Sequence, residues 1–250
     1  MTITLVLFAL GLILGSFYNV VGLRVPAGES IVAPPSHCPH CGRRLSALEL
    51  VPVFSYLFLK GRCRTCRAKI SPLYPAIELA VGLLFAWAFH RLGWTPELAA
   101  ALALASLLAI VFVSDVAYML IPDKILLFFA ALFVALNACL PFRPWEDALI
   151  GSAVGFLLPY AVAIVSHGKM GGGDIKLFAV LGFVLGWKNV LVAFFLSAFF
   201  GAVIGGAGLA TGKIKRGKPM PFAPFIALGA WAASFFGTDI WNWYFHFLSD

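Results

Sequence analysis

The sequence predicts an all-α polytopic membrane protein, with about eight transmembrane helices and one small polar loop domain. Three observations carry the prediction. Of 250 residues, 62% are hydrophobic and only 12% charged, with a mean hydropathy of +0.96, a balance that no soluble domain of this size buries. The apolar runs approach the ~20 residues that cross a ~30 Å hydrocarbon layer as a helix, not the ~10-residue alternating segments of a barrel. The cations gather in the breaks between those runs.

The first span, 3–22, has no Lys or Arg before it and no Ala-x-Ala after it, so it reads as a retained helix rather than a cleaved signal. Spans follow at 73–90, 96–113, 124–140 and 147–166, punctuated by Gly93, Pro122 and Pro141. Segment 175–210 admits two readings, one long span or two short crossings turned at Gly186-Trp187-Lys188-Asn189. A last span at 222–238 follows Pro221. Charge separates the two readings. With both termini outside, 15 of the 18 Lys and Arg residues fall in or beside the cytoplasmic segments 23–72, 114–123, 167–174 and 211–221, and Arg91, Arg143 and Lys188 fall outside. A single span over 175–210 would throw the cations at 213–218 to the outer face. The net charge of +7 is then an orientation signal at the lipid surface, and no motif points to nucleic acid. Trp231, Trp241, Trp243 and Tyr244 are expected as an outer aromatic belt, and the glycines at 201, 205, 206 and 208 as close-packing positions.

The polar insertion 23–72 carries SHCPHCGRRL and GRCRTCRAKI. Cys38 with Cys41 and Cys63 with Cys66 are two C-x2-C knuckles, whose four thiolates suit structural Zn2+ at ~2.3 Å, with nearby Arg and Lys offsetting their charge. Disulfides, a redox dithiol and a rubredoxin-like iron compete; a reducing cytoplasm disfavours the first, and a redox pair needs only one knuckle. His37 and His40 are expected to be solvated, and Cys139 to be a small core residue.

Two acids stand at span boundaries on the cytoplasmic side, Asp115 in FVSDVAYMLIPD and Asp174 in GGGDIK. A close carboxylate pair shares one proton, leaving a base and an acid around a water, which is what amide hydrolysis needs without a Ser or Cys nucleophile. Gly171, Gly172 and Gly173 would let an extended substrate backbone approach, with Lys176 at a substrate carbonyl. The plainer readings are that Asp174 caps a helix, Asp115 is a loop-edge acid, Lys176 snorkels, and Pro122-Asp123 opens the next helix. The sequence leaves the role of Asp123 open. Asn19 is expected as hydrogen-bonding glue between helices, and Glu49 and Glu78 as ion-pair partners of Arg43, Arg44 or Lys69.

Together these residues resemble the prepilin leader peptidases, bifunctional membrane enzymes of type IV pilus, type II secretion and competence systems. The resemblance runs through GSFYNVVGLRVP (15–26), the paired knuckles, ISPLYPAIELA (70–80), Asp115 to Pro122, and Gly171-Gly172-Gly173-Asp174, which satisfies a Gly-x-Gly-Asp pattern with Gly172 variable. It implies an aspartic peptidase of the inner membrane with Asp115 and Asp174 as catalytic pair. Such an enzyme cuts the short basic leader of a prepilin or pseudopilin on the cytoplasmic side. The resemblance also implies methylation of the new amino group with S-adenosylmethionine, linked to residues 1–92, with 93–250 as the peptidase domain. The Gly-Lys tied to methylation stands here as Gly61-Arg62, which keeps the charge but changes its geometry. Three rivals remain open: a peptidase without methylation, a methyltransferase without peptidase activity, and a proton-coupled transporter using the same aspartates.

Overall fold

A computed structural model describes residues 2–168, 170–212 and 220–249. The described chain is helical: α1 (Thr2–Arg24), α2 (Phe54–Phe58), α3 (Leu73–Leu92), α4 (Pro96–Tyr118), α5 (Asp123–Cys139), α6 (Trp145–Val165), α7 (Gly172–Ala210) and α8 (Ala223–Ser249), with a 3-10 turn at Ala47–Leu50. Six of these are long and apolar enough to cross a membrane, and α5 is nearly so at 17 residues. The chain is a multi-pass membrane protein of two compact units, Met1–Leu98 and Ala99–Asp250.

Lipid tails are as apolar as leucine, so helices in a bilayer associate by close backbone packing rather than by burying apolar surface from water. Both units use that route. In the first, a Cβ at Gly11 would meet the Gly82 Cα at 2.7 Å and one at Gly15 the Glu78 Cα at 2.8 Å, so α1 and α3 run antiparallel. In the second, a Cβ at Gly151 would meet the Gly182 carbonyl at 2.2 Å and one at Gly155 the Phe178 carbonyl at 2.2 Å, setting α6 against the first half of α7. Each seam carries a Gly-xxx-Gly step, Gly11/Gly15 on α1, Gly151/Gly155 on α6 and Gly182/Gly186 on α7. The most deeply packed span is α4, with 72% of its apolar window buried.

The run α7 is not one rod. Gly186 leaves the helix at φ 77°, ψ 170°. Phe178 and Phe194 then pack edge to face at 5.3 Å, although 16 positions along a straight helix span ~24 Å. The chain folds back at Gly186 into two antiparallel arms, as the charge argument required. Asp147, in the first turn of α6, holds the bend: it accepts from the Trp187 backbone N–H at 3.2 Å and pairs with Arg143 at 2.6 Å. Arg143 in turn donates to the Val184 carbonyl at 2.7 Å. With α7 counted as two arms, the spanning helices number about eight.

Some expectations need correction. The fourth helix runs to Tyr118 rather than 113, which puts Asp115 inside its last turn, and α8 runs to Ser249 rather than 238. Cys139 is exposed, because α5 ends there. Of the expected close-packing glycines, Gly201 faces the side chains of Phe222 and Phe225, Gly205 faces that of Met220, and Gly206 faces open space. Trp241 packs on Trp187 at the bend, whereas Trp231 packs on Phe235 along α8. The cations at 213, 215, 216 and 218, and Lys169, lie outside the described residues.

Candidate active site

The two cysteine knuckles repeat one backbone pattern. Cys38 N–H donates to the Arg43 carbonyl and Cys63 N–H to the Ala68 carbonyl, both at 2.9 Å. Gly42 N–H returns to the Cys38 carbonyl and Arg67 N–H to the Cys63 carbonyl, and the returning residue is left-handed in each, at φ 68° and φ 60°. The turn aims backbone N–H groups at the sulfurs: those of Cys41 and His40 lower the Cys38 thiol, and those of Cys66 and Thr65 bring Cys63 down to about 6. All four sulfurs lie within 4.8 Å of one another, and Cys38 Sγ is 3.8 Å from Cys66 Sγ. A tetrahedron with ~2.3 Å metal–sulfur bonds has edges of ~3.8 Å, so the four thiols fit a metal ion, and they are not disulfide-bonded. Arg43 reaches both Cys63 and the Glu49 carboxylate. His37 and His40 are exposed and stay out of the cluster.

The aspartates come from the second unit. Asp115 is 7% exposed, and its Oδ2 accepts the Ala223 backbone N–H at 2.8 Å, so the end of α4 meets the start of α8. Asp174 stands in the first turn of α7, where Asp115 is the charged neighbour whose field reaches it. Residues far apart in the chain thus bring two carboxylates to one end of the second unit. The preceding Ser114 is fully buried, its hydroxyl donating to the Leu120 carbonyl, which fixes the turn after Asp115.

The glycines before Asp174 differ in their surroundings. A Cβ at Gly171 would sit 3.0 Å from the Asp174 Oδ2, and one at Gly173 2.9 Å from the Ile121 Cβ. At Gly172 it would meet nothing. Space alone thus sets Gly172 apart from Gly171 and Gly173. Lys176 turns to Asp123, contacting both its oxygens at 2.9 and 2.7 Å. Asp123 is the first residue of α5, so this pair ties the starts of α5 and α7 beside the carboxylates.

Around the loop, Gly61 has φ 66°, and a Cβ there would strike the Tyr56 hydroxyl at 2.8 Å, a turn glycine under an aromatic ring. Arg62 lines an open cleft of about 540 Å³ with Phe58, Leu59, Lys60 and Arg67. Asn19 is interhelical glue, donating to the Gly15 and Tyr74 carbonyls at 3.2 Å each. Glu49 forms the expected ion pair with Arg43, but Glu78 does not pair with a cation among the described residues. It is 8% exposed and accepts the Val53 backbone N–H at 2.7 Å. The sequence hid this because Lys69 is near Glu78 in the chain while the fold turns Glu78 toward α1.

A helical membrane protein with carboxylates at helix ends of its second unit and a four-thiol loop in its first falls in the class of multi-pass membrane proteins with a metal-site loop. Residues 9–92 match the bacterial peptidase A24 N-terminal domain, and residues 102–206 the type IV leader peptidase family. The chain is 48% identical over 239 residues to a prepilin leader peptidase/N-methyltransferase of Bacillus subtilis, covering 96% of each protein. Proteins of the same name in Stutzerimonas stutzeri and Myxococcus xanthus are 35% and 38% identical, over 95% and 94% of this chain and 92% and 74% of their own. No solved structure matches. The chain belongs to the prepilin leader peptidase/N-methyltransferase family.

Proposed function

We propose that this enzyme cuts the leader from prepilins or pseudopilins at the cytoplasmic face of the inner membrane and then methylates the exposed amine. The observation that carries the peptidase reading is the meeting of Asp115 and Asp174 within electrostatic reach, in a chain of this family. One carboxylate, ionised, takes a proton from water as its oxygen attacks the scissile carbonyl; the other, protonated, gives a proton to the leaving nitrogen. Water adds across the amide and the dyad ends with its proton exchanged. The open space over Gly172 suits the substrate backbone, flanked by Gly171 and Gly173, and Lys176 acts through Asp123 rather than on substrate directly.

Cys38, Cys41, Cys63 and Cys66 would hold a structural Zn2+, which closes the loop and leaves no coordination position for substrate. S-adenosylmethionine is the methyl donor in this reading. The Arg62 cleft, with its neighbouring cations and exposed Phe58, suits a carboxylate and an adenine ring, with Gly61 shaping the turn beneath. Basic residues in or beside the segments 23–72, 114–123, 167–174 and 211–221 support a cytoplasmic site and outer termini.

The test is mass spectrometry of a co-expressed prepilin. Asp115→Asn and Asp174→Asn should each lower leader removal on the order of 10²–10⁴-fold while the protein still inserts. Full processing by either variant overturns the dyad.

A further inference from the structure

The mechanism above leaves one buried acid without a task. Glu78 lies in the second turn of α3, nine-tenths buried, with no Lys, Arg or His paired to it among the described residues. Its neighbours are the Val53 backbone N–H and the Ser16 hydroxyl. One turn along the same antiparallel seam is Asn19, 2% exposed, whose amide nitrogen spans the Gly15 and Tyr74 carbonyls. Those two bonds fix the amide orientation, and the Asn19 Oδ1 is left buried with no partner.

The Asn19 Oδ1 has no donor, and the Glu78 carboxylate has two neutral donors but no cation among the described residues. Burying an acceptor without a donor, or a carboxylate without a cation, is costly, and together they call for a compact cation with several N–H bonds. The seam ends where the cysteine loop begins, and Phe17, Tyr74 and Leu79 stay exposed beside it at 45%, 38% and 41%, an apolar wall for a substrate helix.

We propose that Glu78 and Asn19 form the subsite that binds the new α-amine of the cut prepilin, with Glu78 taking its proton before methyl transfer. This rests on the methyltransferase reading. The ammonium proton passes to a Glu78 oxygen. The freed lone pair forms the N–C bond to the methyl of a sulfonium donor as the C–S bond breaks, its electrons staying on sulfur.

Glu78→Gln keeps an acceptor for Val53 and Ser16 and removes only the charge. In cells co-expressing a prepilin, it should leave zinc content and leader removal unchanged and lower methylation by about 10²-fold. A methylated product equal to that of the unmodified enzyme overturns the proposal. If the unmodified enzyme yields cut but unmethylated pilin, the methyltransferase reading itself fails and takes this one with it. A second measurement separates charge recognition from a structural pin: photolabelling by a leader-free pilin peptide with a photoreactive first residue. A free-amine peptide should label residues 16–19 and 74–78 more strongly than its N-acetylated form, and that preference should vanish in Glu78→Gln. Equal labelling by both peptides in the unmodified enzyme overturns the subsite, whatever Glu78→Gln does to stability.

Discussion

At the residue scale, Gly171-Gly172-Gly173 reads as a run of three equal glycines, yet the fold treats them unequally. Gly172→Ala should retain leader cleavage, because its new methyl enters open space. Gly173→Ala drives a methyl into the Cβ of Ile121, which cannot swing away as a side-chain tip could, and should cost about 1–3 kcal/mol and most of the activity. Cleavage assays on the two variants decide it, and equal activities would refute the packing account. Glu49 offers a pH test. Its carboxyl is held down at about 2, against 4.5 ordinarily, by Arg43 and then by the Ser46 backbone N–H. A lowered folded pKa means a contribution that is complete above pH ~4.5 and lost as pH falls from there toward 2. Loop unfolding should therefore steepen across that window, and Glu49→Gln should lose the extra dependence. The pairing of Glu49 with Arg43 was legible from their closeness in sequence, whereas the isolation of Glu78 depends on which way α3 faces.

At the element scale, the bend at Gly186 is the decisive feature. Its positive φ suits glycine, and a Cβ there would fall 2.3 Å from the Asp147 Oδ2 and 2.5 Å from the Arg143 Nη1. Gly186→Ala should combine roughly 1–2 kcal/mol of backbone strain with displacement of the pair that caps the second arm. Thermal unfolding in detergent should show a clear drop for this variant, and none for Gly206→Ala, which meets nothing. Segment 175–210 alone could not announce the turn, since its apolar composition runs through it; the cations downstream did. The Gly-xxx-Gly steps were present in the sequence on α1, α6 and α7, but small residues recur so often in membrane helices that spacing does not say which pairs meet.

At the scale of the whole molecule, the prediction is sidedness. With both termini outside, eight crossings would put the cysteine loop and both aspartates inside and the end of α5 outside. Cys139 is free and exposed at that end, so it reports directly. A membrane-impermeant maleimide added to intact spheroplasts should label Cys139 and leave the loop cysteines unlabelled until the membrane is opened. Labelling in the reverse order would invert the topology and move the peptidase site to the wrong face.

Composition, run length and the positions of the cations were enough to establish a polytopic helical protein, because hydration cost and bilayer thickness act on local sequence. The C-x2-C spacing likewise announced a four-thiol site, since a knuckle closes over a few residues. Only the tertiary structure decided that Asp115 meets Asp174, that Lys176 serves Asp123, that Gly172 is free where Gly173 is not, and that Glu78 has no cation. Each of these depends on which helix faces touch, and in a bilayer that choice is made by backbone fit between distant segments, for which a single sequence holds no short-range signal.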